Sequence, residues 1–298
     1  MDTIVIADLS KRYGRRLGVE GLSMSVPAGA VYGFLGPNGS GKTTTIRVLV
    51  GLLRPNGGHA TVFGLDCWHE SRRIKIDLGY VPGDLRLYPW MTARNSLKIF
   101  GQIRGRDLVR PGLDLAEHFR LDPDVRVRTM SRGMRQKLGL VLALAHRPRL
   151  LVLDEPTSAL DPPMQHSLFQ HLRGLASEGA TIFFSSHALN EVEELCDHVA
   201  ILREGRLVAD ERLDVLRARA HRSVTVRWKN GADPDHVAPP AEFVVEERRP
   251  REWRGTLVGP ATALAQWSVD QPLEDLSISA PDLDSLFRRF YLAPGAGS

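Results

Sequence analysis

A glycine-rich octapeptide is the segment whose residue types and spacing most clearly specify chemistry: Gly36-Pro37-Asn38-Gly39-Ser40-Gly41-Lys42-Thr43. It fits the pattern G-x-x-x-x-G-K-[ST] and lies between a predicted strand and a predicted helix. Glycines allow successive backbone N–H groups to face phosphate oxygens, and the N-terminus of the helix adds a favourable dipole. Lys42 supplies a point charge near the β- and γ-phosphates, and the Thr43 hydroxyl can ligate Mg²⁺. The segment therefore predicts a nucleotide phosphate site.

Two acidic residues, Asp154 and Glu155, directly follow four apolar residues at 150–153 (LLVL). At the end of a buried strand, Asp154 can hold Mg²⁺, usually through water, and Glu155 can polarise an attacking water for in-line displacement. An Asp-Glu pair alone is more often a surface turn. The apolar run before it and the phosphate loop upstream favour the catalytic interpretation.

The elements that must position these groups can be predicted from apolar periodicity. The runs 30–35, 150–153 and 181–185 predict buried strands. The spacing over 42–53 predicts a helix that ends before a turn rich in Pro and Gly, and 85–147 is mostly helical. Strands that alternate with helices indicate a parallel α/β sheet.

The pattern changes after about Arg222. Short strands are predicted at 224–228, 243–246 and 254–258. The segment Pro281–Tyr291 predicts a closing helix, with four apolar residues on one face: Leu283, Leu286, Phe287 and Phe290. We expect a domain boundary at about 217–223.

Composition excludes several classes of protein. Hydrophobic residues make up 43% and charged residues 25%, which is typical of a soluble globular chain. The two cysteines, Cys67 and Cys196, lie far apart and favour a reducing cytosol. The net charge of +4 is dispersed, so no nucleic acid partner is expected. No run approaches the roughly 18–20 apolar residues of a membrane span, so a membrane role would need a partner.

A third motif, 130–137 (MSRGMRQK), lies upstream of Asp154. Together with 158–161 (SALD) and His187, which follows the strand TIFFSS, the order and spacing resemble the ATP-binding subunit of ABC transporters. The resemblance covers about residues 3–215. The form SRGMRQK and a C-terminal appendage ending in PDLDSLF most resemble the drug- and antibiotic-exporter branch.

The resemblance implies an α/β fold: the P-loop NTPase cassette, with a central, mainly parallel sheet, a small antiparallel β subdomain and a helical subdomain at about 85–147. The cassette would occupy 1–218, and 222–298 would form a small C-terminal α+β accessory domain. The ligands implied are ATP and Mg²⁺, and the implied activity is ATP hydrolysis coupled to transport.

Individual residues acquire roles from the same resemblance. Tyr13 would stack on adenine, the loop from Gly36 to Thr44 would hold the phosphates, and His187 would contact the γ-phosphate and orient the water. Two cassettes would dimerise head to tail around two ATP molecules. Ser131 and Gly133 of the opposing subunit would close over the γ-phosphate, with Asp161 in the loop between the two sites.

The implied partner is a separate membrane permease with several spans, which would place the chain at the cytoplasmic face of the membrane. Two alternatives stay open. A soluble ABC protein acting on ribosomes or DNA would need a second cassette, a coiled coil or a basic extension. A regulatory subunit with incidental hydrolysis is disfavoured by Glu155 and His187, but the absence of the family's glutamine at position 83 leaves it open.

The sequence departs from the family pattern at two places. The usual double glycine of the signature is Arg132-Gly133 and its glutamine is Met134. The glutamine expected after Val81-Pro82 is Gly83, which leaves Asp84 as the nearest substitute metal contact. The alternative is that Asp84 only caps a turn.

The segment Ser185-Ser186-His187 could suggest a nucleophile and its base. Adjacent residues on a strand, however, point to opposite faces. We therefore do not assign a nucleophile here.

Overall fold

The described residues form three β-sheets, two of them in the part of the chain that carries the predicted site. The computed structural model describes residues 1–219, 222–232 and 234–281. The chain divides into two units between Leu213 and Asp214, whereas the sequence placed the limit of the first domain at 218. The division follows directly after the last strand of the first unit, which ends at Arg212.

An antiparallel sheet forms one layer of the first unit. Its strands are β1 (Asp2–Tyr13), β2 (Arg16–Pro27), β4 (Gly57–Val62) and β5 (Leu65–Asp66), in the order β2-β1-β4-β5. Buried and exposed residues alternate along β2, as expected for a strand with one face toward a core. This layer corresponds to the antiparallel β subdomain expected from the resemblance.

The central sheet holds six strands in the order β10-β9-β3-β8-β7-β6. They are β3 (Val31–Leu35), β6 (Leu78–Val81), β7 (Leu150–Asp154), β8 (Thr181–Ser186), β9 (His198–Arg203) and β10 (Arg206–Arg212). All neighbouring strands are parallel except β9 and β10. Every residue of β3, β7 and β8 is buried, which explains their continuous apolar runs. The predicted α/β fold with a mainly parallel sheet is confirmed.

Helices connect these strands. They are α1 (Lys42–Leu49), α2 (Ser71–Ile74), α3 (Ala93–Arg104), α4 (Val109–His118), α5 (Arg132–Leu144), α6 (Pro162–Ser177) and α7 (Leu189–Leu195), with a 3₁₀ turn at Val127–Thr129. Helices α3, α4 and α5 lie in the segment predicted to be helical. Across the described residues, no helix has the length and apolarity that crossing a membrane requires.

Helix α1 ends at Leu49, so its predicted extent to residue 53 is wrong. Gly51 adopts a left-handed φ of +63° and donates to Val48 O at 3.0 Å, while Leu52 N donates to Arg47 O at 2.8 Å. These two bonds close the helix as a Schellman motif. A Cβ on Gly51 would lie 2.5 Å from the carbonyl oxygen of Cys67, so the close approach also requires glycine.

The second unit contains a four-stranded antiparallel sheet, ordered β12-β13-β11-β14. Its elements are α8 (Leu213–Arg219, whose first residue belongs to the first unit), β11 (Arg222–Trp228), a 3₁₀ turn at Pro234–His236, β12 (Phe243–Arg249), β13 (Glu252–Leu257), α9 (Thr262–Val269) and β14 (Leu273–Pro281). Trp228 and Trp253 pack edge to face in its core, with ring centroids 4.9 Å apart. The sequence prediction missed α9 and β14. Of the predicted helix Pro281–Tyr291, Pro281 belongs to β14 and the remainder lies outside the described residues.

The order of the central strands positions the site. Leu35 at the end of β3 pairs with Ser186 of β8, and Asp154 at the end of β7 pairs with Ser185. Since parallel strands end at a common edge, the phosphate loop, the acidic pair and His187 all leave the sheet at that edge.

Candidate active site

The phosphate loop connects β3 to α1 and is held by close backbone packing. Gly39 and Gly41 have φ values of +83° and +110°, and a Cβ on Gly41 would lie 2.5 Å from the carbonyl oxygen of Gly18. Lys42 is buried, and its Nζ donates to Gly36 O at 2.6 Å. The loop therefore places the ammonium inside the turn that it forms.

Asp154 is fixed by hydrogen bonds to both of its carboxylate oxygens. Thr43 Oγ1 donates to Oδ2 at 2.9 Å, and Ser185 Oγ donates to Oδ1 at 2.8 Å. Burial of the Tyr80 side chain, together with the negative charge of Asp154, raises the pKa of Tyr80 to about 12. The Thr43 and Asp154 oxygens meet at one point and are of the type that a hard divalent cation prefers.

Glu155 links the phosphate loop to His187. Its Oε1 lies 3.3 Å from Lys42 Nζ, and its Oε2 lies 3.2 Å from His187 Nδ1. Glu155 has a left-handed φ of +49°, which is uncommon for a residue with a side chain and is often found at functional sites. The structure thus brings together three residues that are far apart in sequence, and they form a polar cluster beside the loop.

Tyr13 lines the same cleft as the phosphate loop. The cleft has a volume of about 480 Å³, and its lining includes Tyr13, Arg16, Asn38, Thr44 and Glu155. Tyr13 is 43% exposed, which leaves part of its ring accessible. A Cβ on Gly18 would lie 3.2 Å from Tyr13 Cε2 and 3.1 Å from Thr44 Cγ2, so Gly18 allows the ring to pack beside the loop.

Ser131, Gly133 and Asp161 lie at helix N-termini and are not among the residues that line this cleft. Ser131 Oγ accepts from Met134 N at 3.2 Å and caps α5, and Asp161 Oδ1 accepts from Met164 N at 2.9 Å and caps α6. A Cβ on Gly133 would lie 2.6 Å from the carbonyl oxygen of Ala159, so a larger residue would separate the two segments.

Asp84 is exposed and forms an ion pair with Arg86 at 3.0 Å. The neighbouring Gly83 lies closer to the acidic pair, since a Cβ there would be 3.5 Å from Asp154 Oδ2. A side chain at position 83 would therefore start beside the Asp154 carboxylate. A metal contact from Asp84 stays a prediction.

One residue that the sequence interpretation set aside is part of the site. The sequence suggests Ser185 only as a nucleophile, whereas in the structure its hydroxyl donates to Asp154 and accepts from Glu155 N at 3.2 Å. The sequence signal for this role is a polar residue near the end of a buried strand, after the apolar residues at 182–184. To use it, one must also know that this strand pairs with the strand that carries the acidic residues. The strand order needed to use that signal is a property of the tertiary fold.

Comparison with known proteins places this site in a family. The sequence matches the ABC transporter family over residues 19–158. It is 40% identical over 209 residues to the Nod factor export ATP-binding protein I of Burkholderia lata, and the match covers 68% of each chain. It is also 40% identical over 223 residues to the bacitracin transport ATP-binding protein BcrA of Bacillus licheniformis, covering 74% of this chain and 73% of that one.

Solved structures agree with this relationship. An ATP-binding subunit of an ABC transporter is similar with a TM-score of 0.68 and 30% identity, over 73% of this chain and 92% of its own. The dimeric cassette MJ0796, bound to ADP and phosphate, has a TM-score of 0.64 and 22% identity, over 70% of this chain and 98% of its own. The second likeness is evidence for the fold alone.

A phosphate loop between a parallel strand and a helix, with an acidic pair on a nearby parallel strand, defines a P-loop nucleoside triphosphate hydrolase. Within that class, the match to the two ATP-binding proteins is more specific. The chain belongs to the ATP-binding subunits of the ABC transporter family, and it is an ATPase. The resemblance read from the sequence is confirmed.

Proposed function

We propose that the chain is the ATP-hydrolysing subunit of an exporter and that it drives a separate membrane permease. The export ATP-binding proteins among its relatives support this direction of transport. The observation that carries the proposal is the cluster around Glu155 beside the phosphate loop, in which the Glu155 carboxylate lies 3.3 Å from Lys42 Nζ and 3.2 Å from His187 Nδ1. This is the set of groups needed to bind a γ-phosphate and activate a water beside it.

In the proposed reaction, the loop N–H groups and Lys42 bind the β- and γ-phosphates, and Tyr13 stacks on the adenine. Mg²⁺, which the oxygens of Thr43 and Asp154 fit, would neutralise charge on the phosphates when bound. Glu155 polarises the attacking water, and His187 orients that water while contacting the γ-phosphate. Pre-positioned charges of this kind lower the barrier because they need little rearrangement in the transition state.

A homodimer completes the proposed site. Ser131, Gly133 and Asp161 do not line the cleft of their own chain, which is consistent with their acting on the ATP of an opposing copy. The N-terminus of α5 would then direct its dipole at the γ-phosphate. Binding would close the dimer, and hydrolysis with phosphate release would reopen it, because ATP favours the closed state.

The permease would dock on an apolar groove of about 330 Å³ that borders the segment after Gly83. Its apolar lining includes Leu52, Leu85, Leu87 and Phe100. Docking there would hold the chain at the cytoplasmic face of the membrane. Residues 222–298 would serve as an accessory domain; within them, the described residues have a core of their own.

Replacement of the proposed base tests this function. Glu155→Gln should retain ATP binding but lose at least about 99% of turnover, because an amide cannot polarise water as a carboxylate does. In the presence of ATP, the Glu155→Gln variant should then accumulate as a dimer, which light scattering detects. The matched control is Glu178→Gln, an exposed acid at the end of α6, which should hydrolyse ATP like the wild type. Wild-type turnover in Glu155→Gln would refute the assignment.

A further inference from the structure

Ser185 is a fully buried serine whose hydroxyl lies between the two acidic residues of the site. It is the second-last residue of β8 and is 0% exposed. Its Oγ donates to Asp154 Oδ1 at 2.8 Å and accepts from the backbone N–H of Glu155 at 3.2 Å. One hydroxyl therefore contacts the carboxylate of the proposed metal ligand, Asp154, and the backbone N–H of the proposed base, Glu155.

The bond to Asp154 determines which carboxylate oxygen faces the phosphate loop. Thr43 Oγ1 donates to the other oxygen, Oδ2, at 2.9 Å. A carboxylate turns easily about its terminal torsion unless both oxygens have partners. The Ser185 bond occupies Oδ1, so Oδ2 stays directed at the Thr43 hydroxyl, where the cation would bind.

The bonds to Glu155 stabilise an uncommon backbone conformation. The Glu155 N–H donates to both oxygens of Ser185, the side-chain Oγ and the backbone carbonyl oxygen, each at 3.2 Å. Glu155 has a φ of +49°, a region that residues with a Cβ seldom adopt. In this conformation, its carboxylate reaches Lys42 and His187.

Ser186, the next residue, points to the other face of the strand. Its Oγ contacts the carboxylate of Glu191 and accepts from Ala188 N at 2.9 Å. The proton of the Ser185 hydroxyl is used by Asp154 rather than by a ring nitrogen of His187, since a hydroxyl has one proton to donate. This arrangement does not activate a nucleophile.

We propose that Ser185 is a positioning residue for ATP hydrolysis. Its hydroxyl orients Asp154 toward the cation held with Thr43, and it holds the Glu155 peptide in the conformation that directs the base at the γ-phosphate. The inference rests on the proposed metal-dependent hydrolysis and goes beyond it by assigning a role to a residue that touches neither nucleotide nor metal.

The test compares Ser185→Ala, which removes only the hydroxyl, with Ser185→Thr, which restores one. Three quantities are measured on the full chain: ADP affinity without metal by calorimetry, Mn²⁺ affinity of the ADP complex by electron paramagnetic resonance, and ATP turnover. For Ser185→Ala we expect ADP affinity within about twofold of wild type, because Lys42 is untouched. Mn²⁺ affinity and kcat should each fall by about 10–100-fold, as when an outer partner of a metal ligand is lost. Ser185→Thr should recover most of both.

Thr181→Val is the matched control. Thr181 lies on the same strand, is 1% exposed, and its hydroxyl contacts Thr3 Oγ1 at 3.0 Å, away from the acidic pair. It should keep wild-type Mn²⁺ affinity and turnover. Equal losses in Thr181→Val and Ser185→Ala would overturn the proposal, because the effect would then be general to the strand.

Asp154→Asn separates this inference from the proposed function. If Asp154→Asn loses Mn²⁺ affinity while Ser185→Ala keeps it, the role of Ser185 is refuted and the metal site stands. If both variants bind Mn²⁺ like the wild type, the metal site itself is refuted, and the role of Ser185 with it.

Discussion

Lys42 carries the buried positive charge of the candidate site. Its side chain is 4% exposed, and its ammonium donates to Gly36 O and lies 3.3 Å from the Glu155 carboxylate. A buried charge requires such partners because desolvation without them is costly. An incoming triphosphate offers oxygens that compete with Glu155 for this ammonium. We expect nucleotide binding to release Glu155 toward the attacking water, so that the base becomes available when substrate is present.

His146 gives the fold a dependence on pH. Its ring is buried, and Nε2 donates to Leu78 O at 3.2 Å. Burial, with a smaller contribution from the charge of Arg104, lowers the pKa of His146 to about 4. The unfolded chain has a pKa of about 6.5 at this residue, so between those values it binds more protons than the folded chain. The free energy of unfolding should therefore fall as the pH falls from about 6.5 to 4, by at most about 1.4 kcal/mol per pH unit from this group.

Urea denaturation of wild type and His146→Gln at several pH values measures this contribution. The variant should show a shallower loss of stability toward low pH, because its side chain does not titrate. His59→Gln, at an exposed histidine, should keep the wild-type slope. Identical slopes for His146→Gln and wild type would contradict the expectation.

At the scale of elements, the turn between β9 and β10 supports the phosphate loop. Gly205 donates its N–H to Ser40 O at 2.9 Å and accepts from Glu20 N at 2.8 Å. Its φ is +81°, and a Cβ would lie 3.1 Å from Gly18 O. Arg206 beside it pairs with the Glu20 carboxylate at 2.8 Å. The turn therefore joins the central sheet, strand β2 and the loop at one point.

Gly205→Ala should weaken nucleotide binding as well as stability. Alanine in this conformation costs about 1–2 kcal/mol, and the crowding against Gly18 should also displace the loop. The control is Gly64→Ala, whose φ of +75° is similar but whose added Cβ would meet no atom within 4 Å. Both variants should lose comparable stability in thermal melts, while ADP affinity should fall about tenfold only in Gly205→Ala. Equal ADP affinities in the two variants would show that the turn does not position the loop.

At the scale of the whole molecule, the two units have separate cores. The first packs around the sheets that carry the site, and the second around Trp228 and Trp253. The groove proposed for the permease belongs to the first unit. Leu52 in its lining is 57% exposed and lies in one groove with the partly buried Leu85, Leu87 and Phe100. Grouped apolar side chains at a surface often mark a protein interaction site.

Leu52→Glu should prevent recruitment to the membrane without affecting the cleft. A charge in the groove would be costly to bury under an apolar partner. In cells that express the native permease, we expect the membrane-bound fraction of the chain to fall at least about tenfold, while ATP hydrolysis by the purified chain stays at the wild-type rate. Val244→Glu, at a residue of the second unit that is 50% exposed, is the control and should remain membrane-bound. Recruitment of Leu52→Glu at the wild-type level would rule out this groove.

The sequence alone determined the chemistry of the site wherever the signal was local. The phosphate loop is one contiguous segment, and Asp154-Glu155 follows its own apolar strand, so residue type and short-range periodicity sufficed. The parallel sheet could be predicted for the same reason. The end of α1 was misplaced because the left-handed Gly51 and its contact with Cys67 outweighed an apolar pattern that continues to residue 53.

Only the tertiary structure decided which distant residues meet. Pairing of β7 with β8 brings the Ser185 hydroxyl to both acidic residues, and the β9–β10 turn reaches the phosphate loop from far along the chain. It also places position 83 beside Asp154, while the Asp84 side chain pairs with Arg86. Such contacts depend on the order and register of the strands. An apolar run predicts that a strand is buried, but it does not specify which strand pairs with it, so periodicity alone cannot predict these contacts.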